Sequence, residues 1–497
     1  VWLCACTGAE THAAAPLGPS DGGALGAAPI AREESPATPA VAPISLQPTA
    51  AGGAAAPTPG EAPPPVGARY PGSGFVVHEW GTNTVVMGSN GSLQRGLHHE
   101  GDDLPDFVFD RLKQGDLLGF PALDKMETPV DYFYSDRPLR VSVRVDMPHG
   151  VLTQWYPAAA AFSPAILNAS SGPIPIIDPV SAVHYPYSTQ RCIDKYADFG
   201  AGMLDWGSVE ILSRDETSSA ALPAAPLDRF SWSYAREVAA NDVRVRNPMA
   251  RSSDAAMTVL RDAQTERFLF YRGLGRFEPP MQVSTALVEG NEIVQMKMQQ
   301  ADPGPVWLLN VAANAGAIRR FDSSADLTQL QAALPDLRDA PPLDVFVDEL
   351  AKQMTDALSA TGLYRDEAVA MVNTWRHQWF RTPGVRVLYF APRSWLEREV
   401  PLSISPAPDA EVRVMVMRVE LLTRDMEDRD LSATIDLGTP LGTAAEASAR
   451  DYFHLLGRFA EPRLRRALSV LDGLATPQAE AFLSEIEGPN ATGLLEE

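Results

Sequence analysis

The chain has 497 residues, of which 45% are hydrophobic, and its 63 acidic against 41 basic residues give a formal net charge of −22. That length exceeds one ordinary hydrophobic core, so about two or three domains are expected. So acidic a surface repels phosphate backbones at long range, and nucleic acid is excluded as an expected partner. The cysteines are Cys4, Cys6 and Cys192. Without a CxxC pair they supply no thiolate zinc site, and Cys192 reads as an inert, partly buried thiol.

The opening Val1-Trp2-Leu3-Cys4-Ala5-Cys6 resembles the end of a bacterial lipoprotein signal peptide, with the Leu-x-Ala-Cys pattern of a lipobox. The resemblance implies that residues 1–6 end a signal and that Cys6 is the lipidation site. Residues 7–72 are mostly Ala, Pro and Gly with little apolar bulk. Such a segment cannot bury enough surface to offset its ordering entropy, and a disordered tether is expected. It would hold the following domains away from a membrane. No later stretch reaches the roughly 18 consecutive apolar residues of a spanning helix. The expected location is the cell envelope, as an outer-membrane-anchored lipoprotein facing the periplasm or the cell surface.

Order is expected from Gly74. Phe75–Trp80 and Thr84–Met87 read as strands around Gly81-Thr82-Asn83, and 106–112 as a short helix. Val130–Tyr134 is rich in aromatics that favour a pleated surface. In the next segment Leu139, Val141, Val143, Val145 and Met147 alternate with Arg140, Ser142, Arg144 and Asp146. Strict period two marks a half-buried strand. Ser135-Asp136-Arg137-Pro138 supplies turn chemistry, so these two strands are expected to form a hairpin. Pro148-His149-Gly150 then leads into a third strand through Trp155 and Tyr156.

Prolines at 164, 173, 175, 179 and 186 make residues 162–188 a long surface loop or a set of short edge segments. Strand candidates resume at 208–212, 230–236, 241–246, 266–271, 282–287, 292–298 and 306–311. Short strands with turn residues between them indicate an antiparallel sandwich or barrel. This β-rich domain is expected to span 74–320. Beyond it the period changes. Leu343, Phe346, Val347, Leu350, Met354 and Leu358 follow helical spacing, with Gly362 as a C-cap. A second helix buries Ala368, Met371, Val372, Trp375 and Trp379, giving an antiparallel pair. Strands are expected at 385–390, 402–404 and 412–421, the last an interior one because both its faces are apolar. Helices are expected over 443–471. The fold class is therefore α+β: a β-rich, antiparallel, sandwich-like domain followed by a mixed helical and β region over 340–487. That second region forms its own unit or extends the first sheet.

HEWGT at 78–82, METPVDYFYS at 126–135, WYP at 155–157 and FLFYRGLG at 268–275 are similar to motifs of an uncharacterised family of secreted or lipid-anchored bacterial proteins. The similarity extends through AMVNTW at 370–375, VRVLYFAP at 385–392 and LGRFAEPRLRRAL at 456–468. The resemblance implies an envelope location; no activity, ligand or catalytic residue comes with it.

Among the histidines, His78, His98, His99 and His149 are the candidate metal ligands, with Glu79 and Glu100 as candidate general bases. A divalent metal needs about three or four such groups converging in space, and no HExxH spacing supplies them here. Adjacent residues on a regular strand point to opposite faces, so His78 and Glu79 are not expected to share a site. No Gly-x-Ser-x-Gly elbow occurs. Arg272-Gly273-Leu274-Gly275 reads as a turn between strands, not a phosphate loop. Glu79 with Glu127, or Asp131 with Asp146, are carboxylate pairs of the type used in glycoside cleavage. Trp80, Tyr132, Tyr134, Trp155 and Tyr156 suit a carbohydrate or peptide platform, though core packing explains such rings more often. The favoured expectation is a non-enzymatic binding or scaffolding protein, without a cofactor. Its partners would be the membrane, through the lipid anchor, and an envelope protein or polysaccharide. The alternative is a metal-dependent hydrolase of envelope polymers with its site near His78.

Overall fold

A computed structural model describes residues 74–97, 99, 104–111, 122–163, 202–213, 222–223, 232–245, 263–299, 304–322, 329–471 and 476–487. Cys6, the 7–72 segment, His98, Glu100, the prolines from 164 to 186 and Cys192 lie outside the described residues.

The described part is α+β. Its first strands are Phe75–Met87 (β1), Phe109–Asp110 (β2), Asp124–Ser135 (β3), Leu139–Met147 (β4), Gly150–Tyr156 (β5) and Ala161–Ser163 (β6). Gly202–Ile211 (β7), Val243–Val245 (β8), Gln264–Glu266 (β9), Leu269–Gly275 (β10), Met281–Val288 (β11) and Asn291–Met298 (β12) follow. The last are Val306–Val311 (β13), Gly316–Phe321 (β14), Gln329–Ala333 (β15), Gly384–Phe390 (β16), Leu402–Ser405 (β17) and Ala410–Leu421 (β18). Helices occupy Trp232–Arg236 (α1), Leu343–Ala360 (α2), Arg365–Phe380 (α3) and Arg393–Glu399 (α4). Arg424–Leu437 (α5), Ala444–His454 (α6), Ala460–Leu471 (α7) and Pro477–Ile486 (α8) are the last helices among the described residues.

The central layer is a nine-stranded sheet of order β14-β13-β16-β18-β1-β3-β10-β5-β2. Its pairings are antiparallel except β1 with β18, which run parallel over Val76 to Met87. A six-stranded sheet (β17-β4-β7-β8-β9, with β6 on β7) and a three-stranded sheet (β11-β12-β15) make the second β layer. Val77, Phe133 and Met417 of the central sheet share one core with Val143, Val145, Leu204 and Val283 of the outer sheets. On the opposite face Trp80, Tyr132, Trp307 and Val416 pack against Phe346, Met354, Met371, Trp375 and Trp379 of α2 and α3. A smaller core joins α5 to α8 through Leu437, Phe453, Leu464 and Phe482. No helix among the described residues is long and apolar enough to cross a membrane.

The alternation read in β4 is the burial found: Val143 is 0% exposed, whereas Ser142 and Arg144 are exposed. The expected hairpin, however, does not form. β3 lies between β1 and β10, and β4 lies between β17 and β7 in the other layer. Burial explains the split. Every residue of β3 is buried, as an interior strand of a covered sheet requires, whereas β4 buries only one face. Ser135–Pro138 therefore carries the chain from one layer to the next.

Four local expectations are also corrected. Residues 81–83 do not end a strand: β1 runs through them, with a register shift against β3 between Trp80 and Thr82. Residues 272–275 belong to β10 and not to a turn between strands. Within 106–112, the described part is turn followed by the short β2, not a helix. Trp232–Arg236 is helical, not extended, and Trp232 and Ala235, three residues apart, share the core with α2 and α3. The sheet also runs across the boundary expected near residue 320, because β16 and β18 insert between β13 and β1.

Candidate functional site

β1 displays the sequence-nominated residues on both faces, as adjacent strand residues must be. His78 faces α3: its Nδ1 lies 2.7 Å from Glu367 Oε2. Glu367 also accepts a hydrogen bond from the Tyr134 hydroxyl at 2.8 Å and from the Tyr364 backbone N–H at 2.6 Å. The rings of Tyr134 and Tyr364 lie 5.3 and 4.5 Å from the imidazole, and His78 is 0% exposed. This is a closed tie between the central sheet and the first turn of α3.

Glu79 faces the opposite core. It accepts from Arg413 Nε at 2.5 Å and from the Tyr271 hydroxyl. Asp131 stands directly across the β1–β3 ladder from Glu79, fully buried and with neither carboxylate oxygen hydrogen-bonded among the described residues. Burial, and then the neighbouring Glu79 charge, push its carboxyl well above the usual range.

The other candidates are dispersed. His99 Nε2 lies 3.4 Å from Glu461 of α7, and His149, in the turn before β5, lies 2.7 Å from Glu399 of α4. Each described candidate histidine thus meets a different carboxylate on a different helix. Among the described residues no three His, Cys, Asp or Glu side chains are grouped to share a metal ion. Glu127 bonds Thr84 and Arg458, away from the Glu79 cluster, and Asp146 bonds Arg144 on the outer sheet. Neither carboxylate pair converges. Trp80, Tyr132, Tyr134, Trp155 and Tyr156 are all buried, so the aromatic cluster is core and not a platform.

A belt of charge within the helix-facing side of the sheet was not anticipated. Arg386 and Glu420 are register partners across β16 and β18, with Nε 3.0 Å from Oε1. Glu420 also accepts from Arg418 Nε at 2.6 Å. Arg418 is 1% exposed, its Nη1 and Nη2 have no acceptor among the described residues, and its guanidinium packs 5.2 Å from the Phe459 ring. Arg458 packs on the same ring at 5.0 Å and pairs with Glu127, which also accepts from the Thr84 hydroxyl at 2.7 Å. Burial would raise Glu127, but the Arg458 and Lys125 charges hold it down at about 2. The sequence signal was present in Arg418 and Glu420, which interrupt the apolar run of the strand's second half. A charge on an interior strand demands a partner, and the pairing reveals what periodicity does not.

Beside this belt a cleft of about 440 Å³ opens between the ends of β13, β16 and β18 and the C-terminal helices. Val311, Val385 and Leu421 line its sheet wall; Arg429, Tyr452, Leu455, Leu456, Phe459 and Arg463 line the other; Glu420 also borders it. Leu455 is 84% exposed. Arg463 is held in place: its Nε and Nη2 grip Asp430 at 3.0 and 2.7 Å, and Nη2 also donates to the Tyr452 hydroxyl at 2.8 Å. The volume falls in the range of about 300–1,000 Å³ typical of small-molecule sites. The cleft joins apolar walls to two arginines, Arg429 and the fixed Arg463, which suits it to holding a ligand. It presents no nucleophile paired with a base among its described lining residues. No protein-family model matches the sequence, and a search of curated proteins returns no significant match.

Proposed function

We propose that this chain is a lipid-anchored cell-envelope protein that binds a ligand without transforming it, with the cleft between the central sheet and the C-terminal helices as its binding surface. The lipobox-like residues ending at Cys6 and the Ala/Pro/Gly-rich 7–72 segment support the anchor. The resemblance of HEWGT, METPVDYFYS and FLFYRGLG to secreted or lipid-anchored bacterial proteins points to the same compartment. One observation carries the binding role. The described groups nominated for catalysis in β1, His78 and Glu79, are closed into the core and bonded there, whereas the open cleft is lined by apolar side chains and by Arg429 and Arg463, the latter held by Asp430 and Tyr452. Catalytic acids and bases need access to a reacting group, which a sealed core does not give.

The test uses the full chain carrying Cys6→Ser, so that no lipid anchor contributes. It is incubated with a bacterial envelope fraction, and retention of protein and release of soluble fragments are measured together. Retention without release is expected, with retention lost in Leu455→Glu at an unchanged melting temperature. Release of fragments that His78→Ala abolishes would overturn the reading in favour of the hydrolase, and absence of retention would overturn the binding role outright.

A further inference from the structure

We infer that the cleft takes an amphiphile with an acidic headgroup on an apolar body, a conclusion that rests on the binding role proposed above. The charge balance of the cleft differs in sign from that of the whole chain. Four guanidiniums, those of Arg386, Arg418, Arg429 and Arg463, stand in or immediately behind its walls against the two carboxylates of Glu420 and Asp430. The formal net charge of the protein is −22, so this local excess of positive charge is set against its surroundings. Asp425 and Asp428, on the same helix as Arg429, do not line the cleft.

Two of these cations have capacity left for a ligand. Arg429 Nε donates to the Asp425 backbone carbonyl at 3.1 Å, and Arg429 makes no ion pair among the described residues. Arg463 spends Nε and Nη2 on Asp430 and Tyr452 and donates from Nη1 to no described protein group. A headgroup placed between them would receive charge-assisted hydrogen bonds from a guanidinium already fixed in direction, which lowers the ordering cost of binding. Glu420 does not oppose it, because Arg386 and Arg418 neutralise that carboxylate from behind. The apolar body would lie along Val311, Val385, Leu421 and Leu456 and cover the exposed Leu455. A neutral apolar ligand would leave Arg429 and Arg463 Nη1 without an anion, and a cationic one would be repelled.

The test is displacement of anilinonaphthalene sulfonate from the full-length Cys6→Ser chain, with decanoate, decanol and decyltrimethylammonium as competitors below their micelle concentrations. One probe per chain is expected, displaced at least about tenfold better by decanoate than by either other competitor. Arg429→Glu should weaken decanoate by a similar factor without lowering the melting temperature, since Arg429 is exposed. Leu455→Glu should weaken every ligand together. Equal displacement by the three competitors, or unchanged decanoate affinity in Arg429→Glu, overturns the headgroup assignment and leaves the cleft as a binding surface. Probe binding that survives Leu455→Glu places the probe elsewhere and overturns the inference. Loss of envelope-fraction retention is a separate readout that fails only with the binding role itself.

Discussion

Arg386 on β16 and Glu420 on β18 are register partners on neighbouring strands, with Nε 3.0 Å from Oε1, on the sheet face that packs against the helices. The same arginine donates from Nη1 to the Gln378 and Trp379 carbonyls at 2.9 Å and from Nη2 to the Thr382 carbonyl at 2.6 Å. One guanidinium thus closes the end of α3 and anchors the carboxylate that borders the cleft. Glu420→Ala would leave Arg386 and Arg418 buried without their carboxylate. Denaturant unfolding should show a loss of about 3–5 kcal/mol, the scale for breaking one side of a buried pair. A loss no larger than that of an exposed pair, such as Arg365 with Asp356, would remove the belt from the account.

The register of β4 gives a second test. Val143→Asp places a carboxylate among Val141, Val145 and Leu204 with no partner, and should cost about 3–5 kcal/mol. Ser142→Asp, on the exposed face, should cost less than about 1 kcal/mol. Thermal melts that coincide for the two variants would contradict the register.

Two buried carboxyls give stability opposite pH dependences. Burial pushes Asp124 from its ordinary 3.8 to about 8, although the Phe277 N–H and Asn83 amide bond it. Between those values the folded chain holds a proton that the unfolded chain has released, so stability falls as pH rises through this window. Asp124→Asn removes that slope and should gain on the wild type between about pH 4 and about pH 9. Glu127 behaves the other way. Its folded value of about 2 lies below the ordinary 4.5, so its contribution is complete above 4.5 and is lost as pH falls towards 2. Arg458→Met should flatten that acid limb. Unfolding curves across pH with parallel slopes in wild type and variants would contradict both assignments.

The proposed lipid anchor makes a prediction independent of the fold. Expressed behind a complete signal sequence in a bacterial host, the chain should incorporate labelled acyl chains and partition with membranes. Cys6→Ser should abolish the label. Equal labelling in both would exclude Cys6 as the lipidated residue.

Strand and helix identity was legible where one period dominated. The alternation of Leu139–Met147 and the spacing of Leu343 to Leu358 both lie in the elements expected of them. Which strands pair was not legible, because β3 and β4 are contiguous in sequence yet belong to different layers. Periodicity reports whether a face is buried and is silent on what buries it. α5 went unread, although Thr423 caps it through the Met426 N–H and Asp425 and Glu427 occupy its first turn. Those signals follow a long apolar strand with no glycine or proline between. His78 and Glu79 drew attention as chemistry-bearing types, and their opposite facing was foreseeable from the pleat. Their partners, Glu367 and Arg413, lie some three hundred residues away (|i−j| of 289 and 334), and no local pattern discloses them. The cleft was invisible for the same reason: its walls come from β13, β16, β18 and the C-terminal helices, which only the sheet order brings together.

The most direct test of the central claim is hydrogen exchange of the full-length Cys6→Ser chain, alone and with a bacterial envelope fraction. Binding at the cleft predicts slowed exchange concentrated in residues 420–429 and 452–463, which supply its β18, α5, α6 and α7 walls. It also predicts that Leu455→Glu abolishes the change. Slowed exchange confined to the segments around His78 and His149, with 420–429 and 452–463 unaltered, would contradict it.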